Sequence, residues 1–512
     1  MNAMSPVPSD RRSAQEAPRS WQERRAIAYP LLVLLAAALV LRGPIGPTGL
    51  HDSLAVYWVW ADQFTAEIAR GFIYPRWLSA SDAGLGTPVF YFYPPLAFYL
   101  AGFFSLFGLS TYGCLIATFG AAFAASGIFC WHWLSGRSSQ PLLGAAFFMA
   151  APYHLFNYTE RGALAESVAT ALIPLLAIGM RRIADGRGGL ALTAIVYAAI
   201  IGTHLPLALL VSLFLVAPYA IVHRDRVTGF VVAITAGIAL VAVYLVPALA
   251  LAPYHDVGQL YRSASLRTGY WSVFSANWSD VTYLVVFLIL GALLVGAIAS
   301  TVIRRDRWAL HAAAVAILVS GAVPLVWSLP MLKDVQFPYR ALPIAEFALA
   351  TALARLPGRS PLAICAVILP LLASLIVLSG FNSRYVRDVE RLAAVHPDTY
   401  EYLPKGVIGP DQTQVKLSDI LSSRVPPPSV PGMVVEPHFY FPSWSCAVLE
   451  PRTQLLMHDP SCTPRIIWTW AEKLGAAISL IAALAIAALS LAPLRERLPL
   501  RRKPLVTSAI AG

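Results

Sequence analysis

Thirteen runs of apolar residues, most of them long enough to cross a bilayer, follow one another along the chain. They cover 26–41, 93–109, 112–134, 140–157, 165–183, 189–203, 206–222, 227–252, 281–303, 308–328, 338–356, 361–380 and 467–493. Such a pattern predicts an all-α polytopic membrane protein, and the composition agrees: 57% of the residues are hydrophobic and 13% charged. The first run lacks a small-x-small cleavage site and ends Leu41-Arg42-Gly43-Pro44, so it reads as an uncleaved anchor.

Charge sets the threading. The formal charge is +11, yet the basic residues form no single patch, which argues against nucleic-acid binding. They cluster between runs, at 181–187, 223–226, 304–307, 355–359 and 495–503, as the positive-inside rule requires of cytoplasmic loops. Thirteen spans with the N-terminus inside would put four of these clusters, and the C-terminal one, outside. Omitting 93–109 puts all of them inside. That run is short, opens Tyr93-Pro94-Pro95 and is rich in aromatics, so it is expected to lie in or dip into the outer leaflet. Twelve spans remain, with both termini cytoplasmic.

The resulting division is a disordered tail (1–25), a transmembrane domain (26–380), a periplasmic loop domain (381–466), a final span (467–493) and a basic cytoplasmic tail (494–512). The bacterial inner membrane is the expected location. Cys446 and Cys462 share the outer C-terminal loop, whereas Cys114, Cys130 and Cys365 lie in spans. Two cysteines in one extracytoplasmic loop suggest a disulfide, with two unpaired thiols as the alternative.

This threading gathers ionisable residues on the outer side. His51 and Asp52 follow the first span, and Arg76 lies in Tyr74-Pro75-Arg76-Trp77. Glu160, Arg161 and Glu166 sit in and after the short second loop, His204 at an outer turn, and Arg340 in Gln336-Phe337-Pro338-Tyr339-Arg340. Arginines suit a phosphate, aromatics such as Tyr93 suit a sugar ring, and a carboxylate suits removal of a hydroxyl proton. Together they match a polyprenyl-phosphate-linked sugar. Plainer roles stay open. Asp52 suits the N-cap of a following helix. Glu160 and Arg161 suit an interfacial ion pair, His204 a helix end, and Arg340 a snorkelling position. Glu166 opens an apolar run, where an unpaired charge would be costly. Asp62 and Glu67 are expected on a solvated face. His51 beside Asp52 leaves a divalent metal ion open, but two adjacent ligands do not define a metal site. No phosphate-cradling glycine loop, His-Glu-x-x-His or nucleophile elbow is present.

The order of Asp52, Gly71-Phe-Ile-Tyr-Pro-Arg-Trp77, Gly84-Leu-Gly-Thr-Pro88 and Phe90-Tyr-Phe-Tyr-Pro-Pro-Leu-Ala-Phe-Tyr99 resembles the GT-C superfamily of integral-membrane glycosyltransferases. Arg161-Gly-Ala-Leu-Ala-Glu166, Phe337-Pro-Tyr-Arg340 and Glu401-Tyr-Leu-Pro404 are similar to bacterial membrane proteins labelled "6-pyruvoyl-tetrahydropterin synthase-related". That label implies no pterin chemistry here, since nothing resembles the soluble synthase's zinc-binding histidines. The resemblance covers most of 26–404. It implies a GT-C-like core, a polyprenyl-phosphate-sugar donor, and inverting transfer to a lipid or cell-envelope glycan at the periplasmic face. GT-C enzymes usually carry an acidic pair in the first loop, whereas here His51 precedes Asp52. The expected roles are Asp52 as base, Glu160 or Glu166 orienting the acceptor or a metal, and Arg161 and Arg340 on the phosphate. His51, Arg76, Tyr93 and His204 are expected to contact substrate. The alternatives are a lipid or oligosaccharide transporter, which would want charges along its spans, and a non-catalytic envelope assembly protein.

Overall fold

The computed structural model describes residues 16–41, 49–50, 53–255, 257–261, 263–356, 361–379, 387–397, 399–407 and 427–497. The chain is a multi-pass, predominantly helical membrane protein, and each of the twelve runs read as spans has a helical counterpart. Among the described residues, six helices are individually long and apolar enough to cross a bilayer. A seventh crossing arises if Arg224–Leu240 and Ala242–Tyr254, bent by 69°, form one span. Shorter apolar helices are Leu96–Ser105, Leu190–Thr203, Arg307–Val319 and Ala363–Leu378. Leu96–Ser105 has 10 residues. At roughly 1.5 Å per residue it covers about half of a ~30 Å hydrocarbon layer, too little to cross.

Helix ends follow local chemistry. Ser110, Asp280 and Asp306 each cap a helix, accepting hydrogen bonds from backbone N–H groups two or three residues on. Another run is broken between Pro141–Met149 and Pro152–Thr159, where Pro152 takes the first helical position, which needs no N–H. The break is tied to a third helix, because Ser374 Oγ donates to the Ala150 carbonyl at 2.7 Å.

Two expectations are corrected. The first helix spans Glu16–Leu41, so residues 16–25 of the expected disordered tail are helical. Glu67 is not on a solvated face, and Asp62, still partly exposed, is held by partners. Asp62 accepts from Thr111 Oγ1 at 2.7 Å and pairs with His396 Nε2 at 3.3 Å, while Glu67 is buried and accepts from Ser79 Oγ at 2.7 Å. The fold also contains strands. β1 (Gly49–Leu50) and β2 (Arg387–Asp388) pair antiparallel. β3 (Val434–Phe439), β4 (Ala447–Leu449) and β5 (Leu455–His458) form an antiparallel sheet ordered β3-β5-β4.

Beside that sheet a disulfide joins Cys446 to Cys462. The sheet is packed on the first outer loop, since Trp77, Leu85 and Tyr91 share an apolar cluster with Leu403, Phe439, Phe441 and Leu455. The Phe439 N–H donates to the Leu85 carbonyl at 2.8 Å. Two loop segments distant in sequence are therefore one packed unit, next to the cavity described below.

Candidate active site

The short loop after Pro152–Thr159 turns at Gly162, whose φ of +57° lies in the left-handed region that a side chain disfavours. An added Cβ would also stand 2.4 Å from Leu54 Cβ. This close approach seats the loop on the first turn of the helix Ser53–Ala69, and the Ser53 N–H donates to the Arg161 carbonyl at 3.1 Å. The two loops expected to share the outer face thus meet. Asp52 and His51 lie outside the described residues, but Ser53, next in sequence, lines the cavity.

Three residues chosen from the sequence, Arg161, Arg340 and His204, converge on the carboxylate of a fourth, Glu166. Glu166 is 0% exposed. Its Oε2 lies 2.8 Å from Arg161 Nη1, 3.4 Å from Arg340 Nε and 4.0 Å from His204 Nε2. Its Oε1 accepts from Tyr153 Oη at 2.6 Å and from Asn157 Nδ2 at 3.2 Å. Arg161 Nη1 also donates to Asn157 Oδ1 at 2.7 Å and to Tyr153 Oη at 3.1 Å. A buried carboxylate is tolerated only with such partners, and here it also holds together two cations that would otherwise repel. Phe337 and Tyr339 supply ring faces, with the Arg340 guanidinium 4.7 Å from Phe337 and the Arg161 guanidinium 5.3 Å from Tyr339.

His204 fills both roles weighed for it. Its Nδ1 accepts from the Leu207 N–H at 3.2 Å, capping Leu205–Val211. That bond assigns the ring proton of the neutral form to Nε2, on the side of Glu166.

Arg161, Arg340, His204 and Glu160 line a cavity of about 850 Å³, within the size range of small-molecule sites. Tyr93 lines it too, in an aromatic wall with Trp60 and Tyr402. Trp60 and Tyr93 have ring centroids 4.8 Å apart, Trp60 and Tyr402 5.6 Å, and the Tyr57 and Tyr93 hydroxyls are hydrogen-bonded at 2.7 Å. The cavity is therefore lined by both cationic and aromatic side chains. Arg340 is the cation most available there. Its side chain is 13% exposed, and its Nε makes no hydrogen bond.

Two expected roles change. Glu166 does not line the cavity but lies beneath the arginines with its oxygens engaged, so it cannot itself orient an acceptor. Arg76 is not at the cavity either. It is buried, paired with Glu472 Oε1 at 3.1 Å, bonded to the Val243 carbonyl at 2.9 Å and stacked on Tyr74 at 3.9 Å. Glu472 in turn forms a capping box with Thr469, accepting its N–H at 2.7 Å. Arg76 thus fastens the loop after Ser53–Ala69 to the last helix. Among the described residues no group of three or more His, Cys, Asp or Glu side chains is placed to hold a metal ion.

Sequence reasoning passed over Trp60 in the cavity wall and Glu346 behind it, and quoted Tyr402 only within Glu401-Tyr-Leu-Pro404, with no role at the site. Glu346 carried a usable signal, a lone carboxylate inside an apolar helix. Trp60 carried none, since one aromatic among many has no distinguishing pattern.

No family model and no curated protein matches this sequence. The fold is similar to the cryo-EM structure of the arabinofuranosyltransferase AftD from Mycobacteria, with a TM-score of 0.44 and 17% identity over 70% of this chain and 26% of that one. A mutant of AftD gives 0.45 and 17%, over 71% and 28%. The crystal structure of ArnT from Cupriavidus metallidurans bound to undecaprenyl phosphate gives 0.41 and 14%, over 70% and 77%. This chain thus spans about a quarter of the AftD structures. At these values the likeness is one of helix arrangement and places no residue of the cavity.

Proposed function

We propose that this cavity transfers a sugar from a lipid-linked phosphate to a hydroxyl acceptor, at the periplasmic face of the inner membrane. The observation that carries this reading is the Arg161–Arg340 pair, held by one buried carboxylate at the wall of a cavity with an aromatic face. Arginine forks match phosphate oxygens, and aromatic faces suit the apolar side of a pyranose or furanose. His204 adds an Nε2–H donor beside them.

In the reaction the acceptor oxygen attacks the anomeric carbon as the bond from that carbon to the phosphate oxygen breaks. The acceptor proton passes to a carboxylate; Glu160, which lines the cavity, and Asp52, expected from the sequence, are the candidates for that role. Negative charge grows on the departing lipid phosphate, where fixed guanidinium groups stabilise the transition state more than the ground state. Glu166 keeps those groups in place. A transporter would leave the sugar–phosphate bond intact.

The direct test is binding of undecaprenyl phosphate to the full chain in lipid nanodiscs, beside lipid profiling of a deletion strain. Arg340→Ala and Arg161→Ala should each weaken binding about tenfold or more, the loss expected of charge-assisted hydrogen bonds. Wild-type affinity in both variants would end the phosphate reading.

A further inference from the structure

We propose that Glu346, which does not line the cavity, is a positioning residue for its two arginines. Glu346 sits in the apolar helix Leu342–Leu353 and is 0% exposed. Its Oε1 accepts from the Tyr153 N–H at 2.6 Å, and its Oε2 lies 3.2 Å from His154 Nδ1. Tyr153 and His154 follow Pro152 in the first turn of Pro152–Thr159, a helix with no side-chain cap of its own. The first N–H groups of a helix have no partner within it, and a carboxylate suits both them and the positive end of the helix dipole. Glu346 supplies that cap from a neighbouring helix.

The consequence reaches the cavity through one residue. Tyr153 takes the Glu346 carboxylate on its backbone and gives its hydroxyl to Glu166 at 2.6 Å, while Arg161 donates to that same hydroxyl at 3.1 Å. Glu166 then sets Arg161 and Arg340. One helical turn further, Asn157 bonds both Glu166 and Arg161. Moving the start of this helix therefore moves every hydrogen-bonding partner of the arginine-binding carboxylate on that side. Ser374 holds the preceding carbonyl from the other side, so the break at 150–152 is a fixed mount and not a hinge. Glu346 also lies on the helix that follows directly from Arg340, so one element fixes both arginines.

This proposal rests on the functional reading above only for the purpose of the arginines, and its test separates the two. The full chain in nanodiscs is treated with phenylglyoxal, and modification of Arg161 and Arg340 is followed by mass spectrometry. Tyr153→Phe removes the hydroxyl but keeps the backbone cap. Glu346→Ala removes the cap, and Glu346→Gln keeps an oxygen for the Tyr153 N–H. Arg161 should be modified about tenfold faster in Glu346→Ala and in Tyr153→Phe, the ratio that loss of one hydrogen bond to a charged group produces. Glu346→Gln should restore most of the protection. The double variant should be no worse than the worse single one, as expected for residues acting in series. Unchanged Arg161 protection in a folded Glu346→Ala protein, or additive effects in the double variant, would overturn the relay. Binding of undecaprenyl phosphate, measured on the same samples, reports on the phosphate reading alone: altered protection with unaltered binding would retain the relay and discard that reading.

Discussion

Arg340 Nε stands 3.4 Å from Glu166 Oε2, an ion pair in which Nε makes no hydrogen bond, so the guanidinium is anchored there by charge. A phosphate in the cavity can therefore accept from Arg340 without breaking a bond that holds the site together. Arg161 differs, for its Nη1 already serves Glu166, Asn157 and Tyr153.

The first prediction follows from this difference. Arg340→Lys keeps the charge but loses the planar fork, and should reduce use of a lipid-phosphate donor by about tenfold, whereas Arg307→Lys, exposed between two spans, should change nothing. Turnover of the donor in membranes from both variants decides it. Equal rates would mean that Arg340 only snorkels.

Asp52→Asn tests the base. Asparagine caps a helix as well as aspartate does, so folding and membrane level should be retained. Activity should fall by roughly 10²–10⁴-fold if Asp52 takes the acceptor proton. Should Glu160→Gln show the fall and Asp52→Asn keep full activity, the base would be Glu160.

How far the site was legible depends on where each charge lies. Glu166, Arg161, Arg340 and His204 could be chosen from the sequence because ionisable groups beside apolar runs need partners, and threading by charge put them on one side. Arg76 looked similar, but its partner Glu472 begins the last helix, and nothing in the spacing tells a structural guanidinium from a ligand-binding one. The helices were legible from hydropathy. The sheet was not: β5 pairs with both β3 and β4, and so short a strand as Leu455–His458 leaves little alternation to detect. Glu166 was identified as important yet misassigned, since burial beneath the arginines is a property of packing.

Asp62 gives a pH prediction. The hydrogen bond to His396, and after it the one from Thr111, holds its carboxyl below the ordinary range despite partial burial. A carboxyl depressed in the folded state adds stability that is present above its unfolded value, about 3.9, and is lost as pH falls through the lower folded value. Acid unfolding followed by fluorescence should therefore begin below about pH 4 with a contribution that Asp62→Asn removes. An identical acid limb in the variant would show that this contact adds no stability.

Cys446 and Cys462 lie 16 residues apart, and closing a loop of that size stabilises by about 3 kcal/mol in the chain-entropy account. A maleimide added to spheroplasts should label this loop only after reduction. Reduction should also lower the protease resistance of the sheet without releasing the transmembrane helices. Labelling without reductant would show free thiols.

Gly162→Ala probes the contact between the two outer loops. The new methyl would meet Leu54, and the backbone there already has φ of +57°, so strain and overpacking act together. A loss of roughly 1–3 kcal/mol is expected, seen as a lower melting temperature in detergent. The damage should not stay local, because Arg161 precedes Gly162 and its carbonyl holds the Ser53 N–H at the head of the first-loop helix. Undecaprenyl phosphate binding should therefore fall in Gly162→Ala even when the melting temperature is restored by a compensating Leu54→Ala that leaves φ strained. Recovery of both together would show that only the packing of Leu54 mattered, and that the left-handed turn has no part in placing Arg161.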